Sequence, residues 1–343
     1  MPVRVSVGAL SHDRRAKPRG KTPLEIPEKG GRTVRIGLVN NMPESAFKAT
    51  ERQFATLLDA ASDGIAVEMC LYSLPGVQRA EGAGQHPGYA SVETLWKTRL
   101  DGLIVTGTEP VSVNLREEPY WAGFGRLVDW ARENTYAVAW SCLAAHAAVL
   151  HLDDIGRRKS EEKHFGLFSC TNAGGHAMTA GAPKRFKVPH SRWNGLSAKE
   201  LEANGYTVLT RCAGAQVDTF VKEGKSLFVF FQGHPEYESD TLLREYRRDA
   251  VRYLRDEAKK YPRVPRGYFD AKTEAALERL RKKAMASRSK DLGAKVTAAL
   301  KELHLKNTWR GNAAMMYRNW LEYICEQKEG ERRGVARVRA KAV

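Results

Sequence analysis

Cysteine is scarce in this chain of 343 residues, and the five present (Cys70, Cys142, Cys170, Cys212 and Cys325) follow no pattern. They are odd in number, scattered and nowhere spaced C-x-x-C, which argues against a disulfide framework and a structural zinc site. No metal is therefore expected. No apolar run approaches the eighteen or so residues of a membrane span. The opening "MPVRVSVGALSHDRRAKPRGKTP" lacks the charged-then-apolar layout of a secretion signal. A reducing, cytoplasmic location with no membrane partner is the expectation. Zinc fingers, basic zippers, RNP-like aromatic stretches and internal repeats are also missing.

Positive charge is plentiful: 56 Lys and Arg face 40 Asp and Glu, a net +16. These cations gather at both ends and along one helical stretch, so a solvated basic surface with flexible tails outranks a nucleic-acid interface. No nucleic-acid partner is expected. Attraction of an anionic substrate is the second reading.

Residues 1–32, rich in Lys, Arg, Pro and Gly and without periodicity, read as a disordered basic arm. Short apolar runs then alternate with helical spacings. "TVRIGLV", "IAVEMCLYSL", "LDGLIV" and "AVAWSC" are strands. "ATERQFATLLDAAS", "YWAGFGRLVDWARENT" and "LAAHAAVLHL" are helices. That alternation predicts an α/β fold with a mostly parallel sheet flanked by helices. Its core spans 33–255, and from Phe186 to Phe231 shorter strands suggest a mixed extension of the sheet. A helical extension packing on the core follows over 256–327, and a basic tail closes the chain over 328–343.

In such sheets the reactive groups sit at the carboxyl ends of strands. Asn40–Pro43, Gly107–Pro110 and Cys142 all fall there. Cys142 joins a strand to a helix whose N-terminus favours a thiolate, and small Ala144 and Ala145 follow it. A buried structural cysteine is the plainer alternative. A nucleophile needs a base, and "FFQGHPEY" places His234 just past another apolar strand, with Glu236 two residues on to orient the imidazole.

"AWSC", "EEKHFGLF", "VPHSRW", "GHPEYESDTLLREYRRD", "NTWRGNAAMMYRNWLEYICEQ" and the opening "IGLVNNMPESAFKATERQF" together resemble the homoserine O-succinyltransferase family, in order from Ile36 to Gln327. The resemblance implies a fold similar to class I glutamine amidotransferases, of flavodoxin-like type, with a C-terminal helical appendage. It implies acyl transfer in two halves. Cys142 would take an acyl group from an acyl-CoA, His234 would serve as base, and Glu236 would orient His234. No bound cofactor is implied, since CoA is a substrate.

The resemblance further suggests Arg248 as the grip on the amino acid. It suggests Lys163 and the "PHSR" residues His190, Ser191 and Arg192 for carboxylate or donor binding. Lys48 arrives later after Met42–Pro43 than the family's lysine. Val111 occupies the position where the family has glycine with succinyl-CoA or glutamate with acetyl-CoA. The donor thus stays open between the two, succinyl-CoA first. The acceptor is homoserine, with serine, one methylene shorter, as its competitor. A homodimer acting on the way to methionine is the expected setting. The rival reading, a glutamine amidotransferase-type hydrolase, asks for glycines flanking the cysteine, because a tight elbow favours residues without Cβ. Trp140 and Ala144 stand there instead, and His146 stands where a glutamine often follows. A non-enzymatic nucleic-acid-binding module is the remote third.

Overall fold

The computed structural model describes residues 3–6, 32–77, 86, 88–214, 216–301 and 303–341. The first half runs β1 (Val3–Ser6), β2 (Thr33–Val39), α1 (Glu44–Ala61), β3 (Ala66–Ser73), β4 (Ala90–Ser91), α2 (Val92–Leu95) and β5 (Gly102–Val105). Next come α3 (Trp121–Asn134), β6 (Ala137–Ser141), α4 (Leu143–Asp153), β7 (Arg158–Asn172), β8 (Arg185–Gly195) and α5 (Ala198–Ala203). Short strands β9 (Thr207–Val208), β10 (Thr210–Cys212), β11 (Gln216–Val217) and β12 (Thr219–Lys222) precede β13 (Leu227–Phe231). Four helices finish the chain: α6 (Thr241–Leu254), α7 (Ala271–Ala286), α8 (Lys290–Ala299) and α9 (Arg310–Lys341). None of the described helices is long and apolar enough to cross a membrane.

The main sheet has the order β1-β3-β2-β5-β6-β13-β12-β9, with β4 beside β3. Strands from β1 to β13 in that order are parallel, and β12 and β9 join antiparallel. "GLIV", "AVAWS" and "LFVFF" are buried at every residue, as parallel strands covered on both faces must be. One face packs on α1 through Phe54, Leu57 and Leu58, and on α9 through Tyr317, Trp320, Leu321 and Ile324. The other packs on α3 and α4 through Phe124, Leu127, Ala145 and Val149. The apolar α4 is enclosed nearly all round, the usual fate of a helix without a polar face.

Four expectations need correction. Val3–Ser6, assigned to a disordered arm, form an edge strand parallel to β3, since the β-branched "VRVS" completes that ladder; residues 7–31 of the arm lie outside the described residues. The last helix, the expected C-terminal appendage, does not give way to a separate basic tail at 328. It runs from Arg310 to Lys341 and supplies a layer of the main core, while Lys328 pairs with Asp101 at 2.6 Å. The apolar faces of α7 and α8 meet α6 in a third cluster around Leu277, Val296 and Trp309.

The third correction concerns the shorter strands. β12 and β9 do extend the main sheet, but β11-β10-β7-β8 form a separate four-stranded sheet. β7 begins at Arg158, inside a charged stretch that reads as loop. The fourth concerns cysteine. Cys170 and Cys212 face each other across β7 and β10 and are joined by a disulfide, leaving Cys70, Cys142 and Cys325 free.

Candidate active site

The strand order reverses between β3 and β5 on either side of β2, the topological switch at which α/β sheets build their sites. At the carboxyl ends of β5, β6 and β13 the chain gathers Thr106–Pro110, Cys142 and Gln232–Glu236. Cys142 has φ 53° and ψ −111°, a left-handed-side conformation that costs a non-glycine residue on the order of 1–3 kcal/mol. The turn is thus made without the glycine flanks that the hydrolase reading asks for, and the strain falls on the half-buried cysteine itself. Its carbonyl accepts from the Ala145 and His146 amides at 3.1 and 3.4 Å. The first two amides of α4, on Leu143 and Ala144, have no carbonyl one turn back to bond. They supply the positive end of the helix beside the sulfur.

Gly107 faces that first turn. A Cβ there would stand 2.5 Å from Leu143 Cβ and 3.0 Å from the Leu143 amide nitrogen. Only glycine lets the β5 loop close this near the cysteine.

His234 faces the Cys142 sulfur closely enough to feel its charge, and its Nδ1 lies 2.8 Å from Glu236 Oε1. Burial alone would push this imidazole down. The Cys142 sulfur and the Glu236 carboxylate, by charge and by hydrogen bond, outweigh it and hold His234 well above its ordinary value. The ring stacks on Tyr237 with centroids 4.2 Å apart. The Tyr237 hydroxyl donates to Glu245 Oε1 at 2.5 Å, and Ser191 donates to Glu245 Oε2 at 2.5 Å.

A cleft of about 1800 Å³ opens over these groups. Lys163, Ser191, Arg192 and Arg248 are among the residues that line it. Lys163 lies 3.9 Å from Glu245 and 3.7 Å from Asp249, and Arg248 donates to Asp249 at 2.8 Å. Arg192 serves differently: it is buried, with Nε donating to His190 Nδ1 at 3.2 Å and NH2 to the Val217 carbonyl. Lys48 does not join the cleft lining. It stands exposed on α1, paired with Glu51 at 3.0 Å. Val111 is 64% exposed outside the lining, its amide donating to Glu118 at 2.7 Å.

Sequence reasoning missed Glu245, which links the histidine's stacking partner to Ser191 on β8. It also missed Asp218, whose buried carboxylate accepts from the Gly233 amide just ahead of His234 at 3.2 Å. Neither residue carries a local signal, because both act through strands or turns distant in sequence. Among the described residues, one cluster has metal-ligating side chains close together: Cys170, His190 and Cys212. It offers no free donor set. The sulfurs bond each other, and the Arg192 donation to Nδ1 fixes the proton of a neutral His190 on Nε2.

A strained cysteine at a strand-to-helix turn, with a histidine–carboxylate pair at the end of the neighbouring strand, is an arrangement suited to chemistry at an acyl carbon. The family model described as HTS: Homoserine O-succinyltransferase matches residues 25–331. The chain is 43% identical over 318 residues to a homoserine O-succinyltransferase of Bradyrhizobium japonicum, across 90% of this chain and 97% of that protein. It is 47% identical over 296 residues to one of Rhodopseudomonas palustris, across 84% and 88%. Among solved structures, a glutamine amido transferase from Methylobacillus flagellatus is similar with a TM-score of 0.49 at 13% identity, covering 85% of this chain and 95% of that one. The chain belongs to the homoserine O-succinyltransferase family, and it is an acyltransferase.

Proposed function

We propose that this homoserine O-acyltransferase takes a succinyl group from succinyl-CoA onto Cys142 and passes it to the homoserine hydroxyl. The observation that carries the reading is the gathering of Cys142, His234 and Glu236 at one sheet edge, with His234 and Glu236 paired at 2.8 Å. The Cys142 sulfur attacks the thioester carbonyl, and the Leu143 and Ala144 amides face the oxyanion that develops, a contribution usually worth several kcal/mol. The tetrahedral intermediate collapses, breaking the bond to CoA sulfur, and CoA leaves with the proton His234 held. The homoserine hydroxyl then gives its proton to His234 and attacks the acyl-cysteine. Collapse returns the sulfur to the imidazolium. Glu236 keeps the ring oriented through both halves.

Lys163, Ser191 and Arg248 are the groups placed to hold the charged ends of the amino acid. The names of the relatives support the succinyl donor, and the basic cleft wall suits an anionic CoA ester. The step belongs to methionine synthesis in this proposal, carried out by a cytoplasmic homodimer. CoA release is measured with succinyl-CoA or acetyl-CoA, each paired with homoserine or serine. Fastest release with succinyl-CoA and homoserine is expected. Faster turnover of acetyl-CoA overturns the donor assignment, faster use of serine overturns the acceptor, and ammonia release from glutamine overturns the transfer reading.

A further inference from the structure

His146 lies one helical turn past Cys142, is only 2% exposed, and belongs to none of the roles described above. Its Nε2 is 2.8 Å from Gln232 Oε1. An amide oxygen only accepts, so Nε2 carries the proton and Nδ1 is bare. Nδ1 is buried with no hydrogen-bond partner among the described residues. Leaving such an acceptor unpaired costs about 1–3 kcal/mol, whereas a leucine or methionine would fill the space without that penalty. Core packing alone does not account for a histidine here.

Its partner shows what the histidine does. Gln232 is fully buried and tied three ways. Its Oε1 receives His146, its Nε2 donates to the Val217 carbonyl at 2.8 Å, and its amide donates to the Asp218 carbonyl at 2.9 Å. Gly233 follows, its space closed by Val188 Cγ1 at 2.5 Å and Asp218 Oδ1 at 2.7 Å from a would-be Cβ. His234 comes next. The nucleophile's helix and the base's loop are therefore joined side chain to side chain by one hydrogen bond.

We propose that neutral His146 is a positioning residue that clamps the helix of Cys142 to the loop of His234 through Gln232, setting the sulfur–imidazole distance. Burial, assisted by the Arg192 and Arg157 charges, pushes His146 down to about 3, so the clamp stays uncharged and leaves His234 as the acid–base partner of the Cys142 sulfur. The catalytic consequence rests on the acyl-transfer reading above; the geometric one does not.

The test uses His146→Leu, His146→Gln and His146→Asn in the full chain. Glutamine can carry an N–H about as far from the backbone as imidazole Nε2, and asparagine cannot. The first readout needs no substrate: the pH dependence of Cys142 alkylation by iodoacetamide, Cys70 and Cys325 being buried. His146→Leu is expected to change that curve relative to the unaltered chain, because sulfur and imidazole no longer stand at the same separation. In the acyl-transfer assay its kcat falls about 100-fold with KM for homoserine little changed, the usual scale of a 1 Å misplacement. His146→Gln restores both readouts.

An unmoved alkylation curve in His146→Leu overturns the proposal. Should that variant fail to fold, His146→Asn matching His146→Gln in both readouts overturns it instead, since only the glutamine has the reach. An alkylation shift among the variants, with no acyl-CoA turned over by the wild-type chain, sinks the proposed reaction and leaves the clamp standing.

Discussion

The backbone amide of Cys142 donates to the carbonyl of Phe231 at 2.7 Å. That bond is the last rung of the parallel β6–β13 ladder, which pairs Ser141 with Phe231 one residue earlier. Neighbouring strands lie roughly 4.8 Å apart, so the proposed nucleophile just past one strand and the proposed base three residues past the next start within side-chain reach. The sheet, rather than any loop, brings sulfur and imidazole together.

Cys142→Gly is expected to abolish acyl transfer and raise stability. Glycine adopts φ 53° without the Cβ clash, and relief of about 1 kcal/mol or more should appear in denaturant unfolding relative to Cys142→Ala. Equal stability of the two variants would show that the turn carries no strain.

Glu236→Gln keeps the shape of the pair but removes the anion that helps hold His234 up. By analogy with other nucleophile–base–carboxylate sites, kcat should fall about a hundredfold to ten-thousandfold while KM changes little. Steady-state kinetics at several pH values check this. A KM effect with unchanged kcat would assign Glu236 to binding instead.

Gly107→Ala forces a methyl to within 2.5 Å of Leu143 Cβ, against the turn that presents the oxyanion-facing amides. Overpacking of this sort costs about 1–3 kcal/mol. The loss of kcat should exceed the loss of thermal stability in proportion, and circular dichroism melts beside CoA-release rates decide it.

Acid stability carries the signature of the neutral buried imidazole. His146 binds its proton only near pH 3 when folded, but at the ordinary value of about 6.5 when unfolded. The unfolded state therefore holds more protons between those limits. Stability is intact above about 6.5 and declines as pH falls below it, by on the order of 2 kcal/mol at pH 5. His146→Gln lacks this penalty, so its melting temperature relative to wild type should rise on acidification from pH 7 to about 5. A constant difference would mean that His146 is protonated in the fold.

How much of this could be read along the chain depended on locality. The wholly apolar "AVAWS" and "LFVFF" announced central parallel strands, and the abrupt change after Ser141 placed Cys142 at a strand end. His234 and Glu236 sit two residues apart, so their pairing was visible as well. β7 was hidden because its first half is mostly exposed and charged, the far end of a long hairpin in solvent. The Cys170–Cys212 bond depends on the β7–β10 register across 42 residues, which spacing alone does not reveal. Where Lys48 stands was likewise not legible, since helical phase turns it toward Glu51 on α1. Glu245 and Asp218 work through groups brought near only by the fold.

The most direct measurement is intact mass after mixing the protein with succinyl-CoA alone and quenching in acid. One succinyl group per chain is expected on Cys142, discharged when homoserine is added and absent from Cys142→Ala. Product formation by Cys142→Ala at the wild-type rate, or an adduct that maps elsewhere and persists in that variant, would contradict a transfer routed through this sulfur.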